Sequence, residues 1–208
     1  MGCAAEWTAE EFNISRDEQD SLSAASHNKA ASATKNGWYK NEIIPLKASQ
    51  IKQRADVTED EGVRGDSTTE SLGKLRPAFA KEGTVTAGNA SQISDGGAAV
   101  IVMSQDSARE ANATVMAKII DYNTFGVAPK EIFTAPGLGI EQLLRRNDLT
   151  IEDIDLFEIN EAFAVQVLQN LQHLGLDKLK VNVGGGGVAI GHPIGASGTR
   201  VLVSLLHH

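Results

Sequence analysis

The chain has little sulfur, few aromatic rings and no long apolar run. One cysteine, Cys3, stands in 208 residues, so no internal disulfide forms, which fits a reducing compartment. No apolar stretch approaches the ~20 residues that span a bilayer. The N-terminus has no charged-then-apolar leader. Met1-Gly2 invites a reading as an N-myristoylation signal, but Glu6 stands where that motif needs Ser or Thr. Basic residues are outnumbered, 19 to 27, for a net charge of −8. That balance argues against broad contact with nucleic acid or an anionic membrane, while a local basic patch still suits a phosphate. No H-E-x-x-H or C-x-x-C pattern points to a metal, and no G-K-[ST] makes a P-loop.

What is present is a hydrophobic fraction of 41%, enough for a core, and 20 glycines. Seven of these fall in the seventeen residues Gly184 to Arg200, G-G-G-G-V-A-I-G-H-P-I-G-A-S-G-T-R. Its flanks, Leu179 to Val183 and Val201 to Leu206, are apolar, unlike those of a slack linker. Two readings stay open on the loop alone. It is a shaped site presenting His192, a base near neutral pH, or a turn whose histidine only satisfies a hydrogen bond.

Helix signals come early. Thr8-Ala9-Glu10-Glu11 and Ser15-Arg16-Asp17-Glu18 both have the spacing of capping boxes. The second predicts a helix from Ser15 to Asn36, closed by Gly37 and alanine-rich enough to pack closely. Glu42 to Leu46 reads as a short extended segment, and Lys47 to Leu72 as a polar excursion over the surface. Ala98 to Met103 is apolar enough for a buried strand or helix. Lys118 to Tyr122, Ile154 to Ile159 and Val181 to Val183 read as strands. Ile140 to Arg146 and Asn160 to Leu174 read as helices, the latter with Phe163, Val167, Leu171 and Leu174 on one face. Thr150 is expected to cap a short turn. The alternation predicts an α/β layered fold. Asn160, at a predicted strand-to-helix junction, is either a plain N-cap or a neutral donor aimed at a carbonyl or a water.

Five segments then occur in order: K-L-R-P-A-F (Lys74 to Phe79), G-N-A-S (Gly88 to Ser91), D-G-G-A (Asp95 to Ala98), N-E-A-F-A (Asn160 to Ala164) and G-H-P-I-G-A-S-G (Gly191 to Gly198). Together with M-G at the start and S-R-D-E-Q-D in the second helix, they resemble the thiolase family, most closely the acetyl-CoA acetyltransferases. The last two motifs in tandem are highly specific, and the likeness covers essentially the whole chain.

The resemblance implies a thiolase-like layered fold, a mixed β-sheet packed with helices plus a loop region, and incomplete. It divides the chain into a loop region over 1–93, the tail of the N-terminal half over 94–114, and a C-terminal half over 115–208 lacking its last strands. It implies acyl transfer through a cysteine thioester, joining two acetyl-CoA to acetoacetyl-CoA or reversing that step by thiolysis. Longer-chain 3-oxoacyl-CoA thiolysis and non-catalytic CoA or lipid binding are the alternatives. By the same resemblance His192 activates the nucleophile, and Asn160, through a water, completes an oxyanion hole. Ser91 contacts the pantetheine, Ala87, Ala162 and Phe163 line its channel, and Arg64, Ser71 and Leu75 lie near the adenine and phosphates. The implied substrate is a coenzyme A thioester, with no cofactor, metal, nucleic acid or membrane. The implied assembly is a homodimer or homotetramer in the cytoplasm.

Two departures stand out. Gly184 replaces the family's usual Asn or His, and Gly187 its Ala. The family's nucleophilic cysteine precedes the matched region, and its second cysteine, in C-G-G-G-x-G, follows it. Cys3 matches neither, so the chain resembles the middle and later part of a thiolase, cut at both ends and expected to be inactive alone.

Overall fold

The computed structural model describes residues 1–52 and 54–208. Gln53, inside the polar surface excursion, lies outside the described residues. The α-helices are α1 (Gly2–Glu11), α2 (Arg16–Asn36), α3 (Ala48–Ile51), α4 (Thr69–Gly73), α5 (Gln105–Glu110), α6 (Ala135–Arg146), α7 (Ala164–Leu174), α8 (Gly187–Ile190) and α9 (Ser197–His207). Two 3-10 turns, Trp38–Asn41 and Pro129–Thr134, join them.

Helix α2 follows its local chemistry. The Ser15 hydroxyl accepts from the Glu18 backbone N–H, and the Glu18 carboxylate accepts from the Ser15 N–H at 2.7 Å, a reciprocal capping box. Gly37 closes the helix in the left-handed region, φ 75°. The Thr8 signal is a correction. Helix α1 already runs from Gly2, and the Thr8 hydroxyl donates inside it to the Ala4 carbonyl at 2.8 Å. The spacing of a capping box also occurs mid-helix, where the hydroxyl bonds backwards. Thr150 does cap its turn, its N–H and hydroxyl both donating to Asp153. Helix α6 starts five residues earlier than predicted, at Ala135 with Pro136 in its first turn. Helix α7 starts at Ala164, four residues later than predicted, leaving Asn160 in the loop before it.

The expected mixed β-sheet, and with it the α/β layered fold, is not what the structure holds. Among the described residues there is no sheet, only four isolated bridges: Leu46 with Val57, Pro77 with Thr86, Ala90 with Phe163, and Phe157 with Val181. The last, the one parallel bridge, is the only backbone pairing that joins the predicted strands Ile154 to Ile159 and Val181 to Val183 among the described residues, and the Asn182 carboxamide adds two bonds to the Ile159 backbone. Ala98 to Met103 and Lys118 to Tyr122 run without helix, turn or bend and make no backbone–backbone pairing among the described residues. Their apolar side chains face outward, Ile101 at 87% and Ile120 at 69% exposure. Residues of strand-like pattern make a sheet only when another strand satisfies their N–H and C=O groups.

Two small cores position the rest. One joins Ala5, Ala9 and Ile14 to Val85, Phe133, Phe163 and Val165. The other gathers Ile159, Val167, Leu176 and Val181, with Leu22, Ile140, Leu171 and Leu174 packed on it. Helix α7 contributes to both and touches α1, α2 and α6. Helix α2 buries a largely polar face, Gln19, Asp20, Ser23, Ser26 and His27 with Ala24, Ala30 and Ala33. Small side chains there admit the glycine loop. A Cβ on Gly185 (φ 88°) would stand 2.6 Å from the Ser26 carbonyl oxygen and 2.8 Å from the Ala30 Cβ.

Candidate active site

Three segments meet at the site. Residues 89–91 lie antiparallel to 162–164. The Ala164 N–H donates to the Asn89 carbonyl at 2.9 Å, and the Ser91 N–H to the Ala162 carbonyl at 3.0 Å. One residue further, Gln92 holds the glycine loop. Its carbonyl accepts from the His192 N–H at 3.3 Å, and its carboxamide donates to the carbonyls of Gly62, Val188 and Ala189. G-N-A-S thus braces N-E-A-F-A on one side, and Gln92, which follows it, braces the glycine loop on the other.

Glu161 locks the same junction from below. It is 3% exposed, and its carboxylate accepts from the Ser26 hydroxyl (2.6 Å), the Asn182 amide (2.9 Å) and the Val188 N–H (3.2 Å). The Ser26 hydroxyl in turn accepts from the Gly186 N–H at 3.0 Å. A buried carboxylate with this many donors is satisfied rather than stranded. The Tyr39 hydroxyl adds a bond to the Gly184 carbonyl, and burial raises its pKa well above the usual phenol range, so it stays a donor.

On this frame the side chains of His192 and Asn160 come together. Asn160 Nδ2 lies 3.4 Å from Nε2 and 3.5 Å from Nδ1 of the imidazole. Nδ1 is also 2.6 Å from the Ser197 hydroxyl. Asn160 Oδ1 is buried without a hydrogen-bond partner. Burial, and then the Arg200 guanidinium, hold the His192 pKa below its usual range. The ring is therefore neutral at neutral pH, the state in which it accepts a proton.

The other predicted residues divide. Ser91, Ala162 and Phe163 adjoin the site through the 89–91 and 162–164 pairing. Phe163 is 8% exposed and packs on Phe133 and Phe79, ring centroids 5.3 and 6.1 Å away. Leu75 is 39% exposed and lies against Gly88, next to exposed Ala87. Arg64 and Ser71 are exposed and bonded elsewhere. The Arg64 N–H donates to His27 Nδ1, and Ser71 exchanges bonds with Thr68 in a capping box on α4. Cys3 is exposed on α1, and no hydrogen bond links it to His192. Among the described residues no group of three His, Cys, Asp or Glu side chains is placed to hold a metal ion. None of the described helices is long and apolar enough to cross a membrane.

Sequence reasoning passed over Gln92, Glu161 and Ser197. Ser197 had a signal, since it lies five residues beyond His192 in the same motif. Gln92 had none, because its role comes from where three distant carbonyls converge.

A neutral imidazole beside a neutral carboxamide, both fixed by backbone bracing, defines a site suited to proton transfer and to stabilising a developing oxyanion. Residues 1–106 match the thiolase N-terminal domain and residues 113–208 the thiolase C-terminal domain, and the chain belongs to the thiolase family. It is similar to a probable acetyl-CoA acyltransferase of Staphylococcus aureus, 50% identical over all 208 residues and 53% of that protein. The chain thus spans about half the length of the curated relatives it matches.

Solved structures agree in backbone path. The acetyl-CoA acetyltransferase of Bacillus anthracis superposes with a TM-score of 0.93 at 44% identity, over all of this chain and 52% of that one. The dimeric peroxisomal thiolase of Saccharomyces cerevisiae gives 0.90 at 40% identity, with the same coverage. Human mitochondrial 3-ketoacyl-CoA thiolase in complex with CoA gives 0.89 at 36%, over all of this chain and 51% of that one.

Proposed function

We propose that the chain is the His192- and Asn160-bearing part of an acyltransferase that makes or cleaves acetoacetyl-CoA. The observation that carries the reading is the contact of these two side chains across 32 residues of sequence. In thiolysis a base removes the proton of a thiol, the thiolate attacks the 3-oxo carbonyl, and the bond between C2 and C3 breaks. Acetyl-CoA leaves, once its C2 has gained a proton, and the acyl group remains as a thioester. His192 suits the first proton transfer, because it is neutral and braced. His192 and Asn160 together suit the carbonyl oxygen as charge grows on it.

Ser91, Ala87, Ala162 and Phe163 are assigned to the pantetheine, and Arg64, Ser71 and Leu75 to the adenine and its phosphates. The pairing of Ser91 with Ala162 supports the first set. The second rests on the resemblance alone. The division at 93/94 and 114/115, the coenzyme A thioester as substrate without a bound cofactor, a homodimer or homotetramer of the full protein, and a cytoplasmic location belong to the same proposal. A longer-chain 3-oxoacyl-CoA thiolase is the second reading, favoured by the likeness to the human 3-ketoacyl-CoA enzyme.

In a full-length protein carrying this chain, turnover of acetoacetyl-CoA should exceed that of a long-chain 3-oxoacyl-CoA, and the reverse ranking favours the second reading. His192→Ala should lower thiolysis by about 10²-fold or more. Intact activity in that variant sinks the assignment. The 208-residue chain alone should read as background, because its one thiol, Cys3, is exposed, remote in sequence from His192 and in neither of the family's cysteine motifs. Turnover that vanishes on Cys3→Ser would overturn that expectation.

A further inference from the structure

We propose that Ser197 is a positioning residue that fixes the tautomer of His192. The inference rests on the reading of His192 as a base and names the nitrogen that does the work. Ser197 is 2% exposed and opens α9. Its hydroxyl lies 2.6 Å from His192 Nδ1 and 3.0 Å from the Pro193 carbonyl oxygen. A hydroxyl has one proton to give, and a carbonyl oxygen only accepts. With that proton on Pro193, the hydroxyl oxygen turns a lone pair to the ring, so Nδ1 carries hydrogen and donates. Neutral imidazole has a single N–H, and Nε2 therefore keeps its lone pair.

The other side of the ring is compatible with this. Asn160 Nδ2, a donor, lies 3.4 Å from Nε2 and 3.5 Å from Nδ1; with Nδ1–H turned to Ser197, the lone pair left to meet it is the one on Nε2. The opposite arrangement, with Ser197 donating to Nδ1, leaves the Ser197 and Pro193 oxygens 3.0 Å apart without a proton between them. Free histidine side chains favour hydrogen on Nε2, so the Ser197 contact reverses the ring's own preference. The nitrogen left to accept a thiol proton is then Nε2. The imidazolium that results keeps its Nδ1–H on Ser197.

The test is the long-range proton–nitrogen spectrum of the chain carrying ¹⁵N-histidine, at mildly alkaline pH, with His192 assigned by its loss in His192→Asn. Nδ1 should show the shift of a pyrrole-type nitrogen and Nε2 that of a pyridine-type one. In Ser197→Ala the population with hydrogen on Nε2 should grow several-fold, the scale of one hydrogen bond. Ser197→Thr, which keeps the hydroxyl, should restore the original pattern. A pyridine-type Nδ1 in the unaltered chain overturns the proposal, as does a Ser197→Ala spectrum in which the two nitrogens are unchanged. Should Ser197→Ala fail to fold, the unaltered spectrum and Ser197→Thr still decide. No substrate enters the measurement, so a failed thiolysis assay and a wrong tautomer are separate outcomes.

Discussion

Glu158→Gln isolates the cost of ionising one buried carboxyl group. The Glu158 side chain is 3% exposed, with Arg200 Nη1 3.4 Å from one oxygen and His208 Nδ1 3.9 Å from the other. Burial is the main cause that pushes its pKa from an ordinary 4.5 to about 7; Arg200 opposes the rise, and Glu161 and Glu42 add to it. Between those two values the folded chain holds a proton that the unfolded chain has released. The stability from this group is complete below 4.5 and is lost as pH rises through about 7. At about 1.4 kcal/mol per pH unit, the loss comes to about 3 kcal/mol, against a typical total of about 5–15 kcal/mol. Glutamine has the shape and neutrality of the protonated acid and escapes that loss. Urea unfolding of both proteins, from acid to mildly alkaline pH, should show the stability difference moving in favour of glutamine by about 3 kcal/mol. The depressed pKa values of His27 and His192 act the other way, losing stability as pH falls, and are common to both proteins. A difference that stays level across the range refutes burial as the cause.

Gly185→Ala should cost about 3 kcal/mol, because a positive φ is combined with a Cβ 2.6 Å from a backbone oxygen. Gly175→Ala, also at positive φ but with open space around it, should cost about 1 kcal/mol; equal losses in thermal melts would show that packing against α2 is not the constraint. Ser15→Ala removes the α2 cap and should cost about 1 kcal/mol in the same melts, and an unchanged midpoint would contradict the capping role. Light scattering should find the chain self-associated through the unpaired apolar stretches 98–103 and 115–120, and Ile101→Lys with Ile120→Lys should reduce this. A stable monomer before any substitution counts against it.

Helix α2 was legible because both of its ends are written in local chemistry, a serine with a glutamate three residues on and a glycine at the close. Thr8 shows the limit of that grammar: its spacing fits a cap, yet a helix already under way uses the hydroxyl internally. The strands were misread for a different reason. Ala98 to Met103 has a strand's composition, but a sheet is a relation between segments, and this one meets no partner among the described residues. At the site, His192 and Asn160 were each ambiguous on local grounds, and only the ordered set of five motifs singled them out. Their contact depends on Gln92 and Glu161, whose partners lie up to 135 positions away in sequence. No local pattern carries that information.

The seating of the glycine loop on α2 restricts how the two segments can drift in evolution. At Gly185 the nearest obstacles to a side chain belong to the helix, the Ser26 carbonyl and Ala30. At Gly186 the obstacle is Glu161, its Oε1 2.6 Å from where a Cβ would stand, and that carboxylate is itself bonded to Ser26. A larger residue in the loop therefore requires the helix to retreat, and a larger residue at position 26 or 30 requires the loop to lift. Either movement would carry His192, five residues beyond Gly187, out of register with Asn160. Variation in the helix and in the loop is tolerable only as a matched exchange, although no catalytic group lies on the helix.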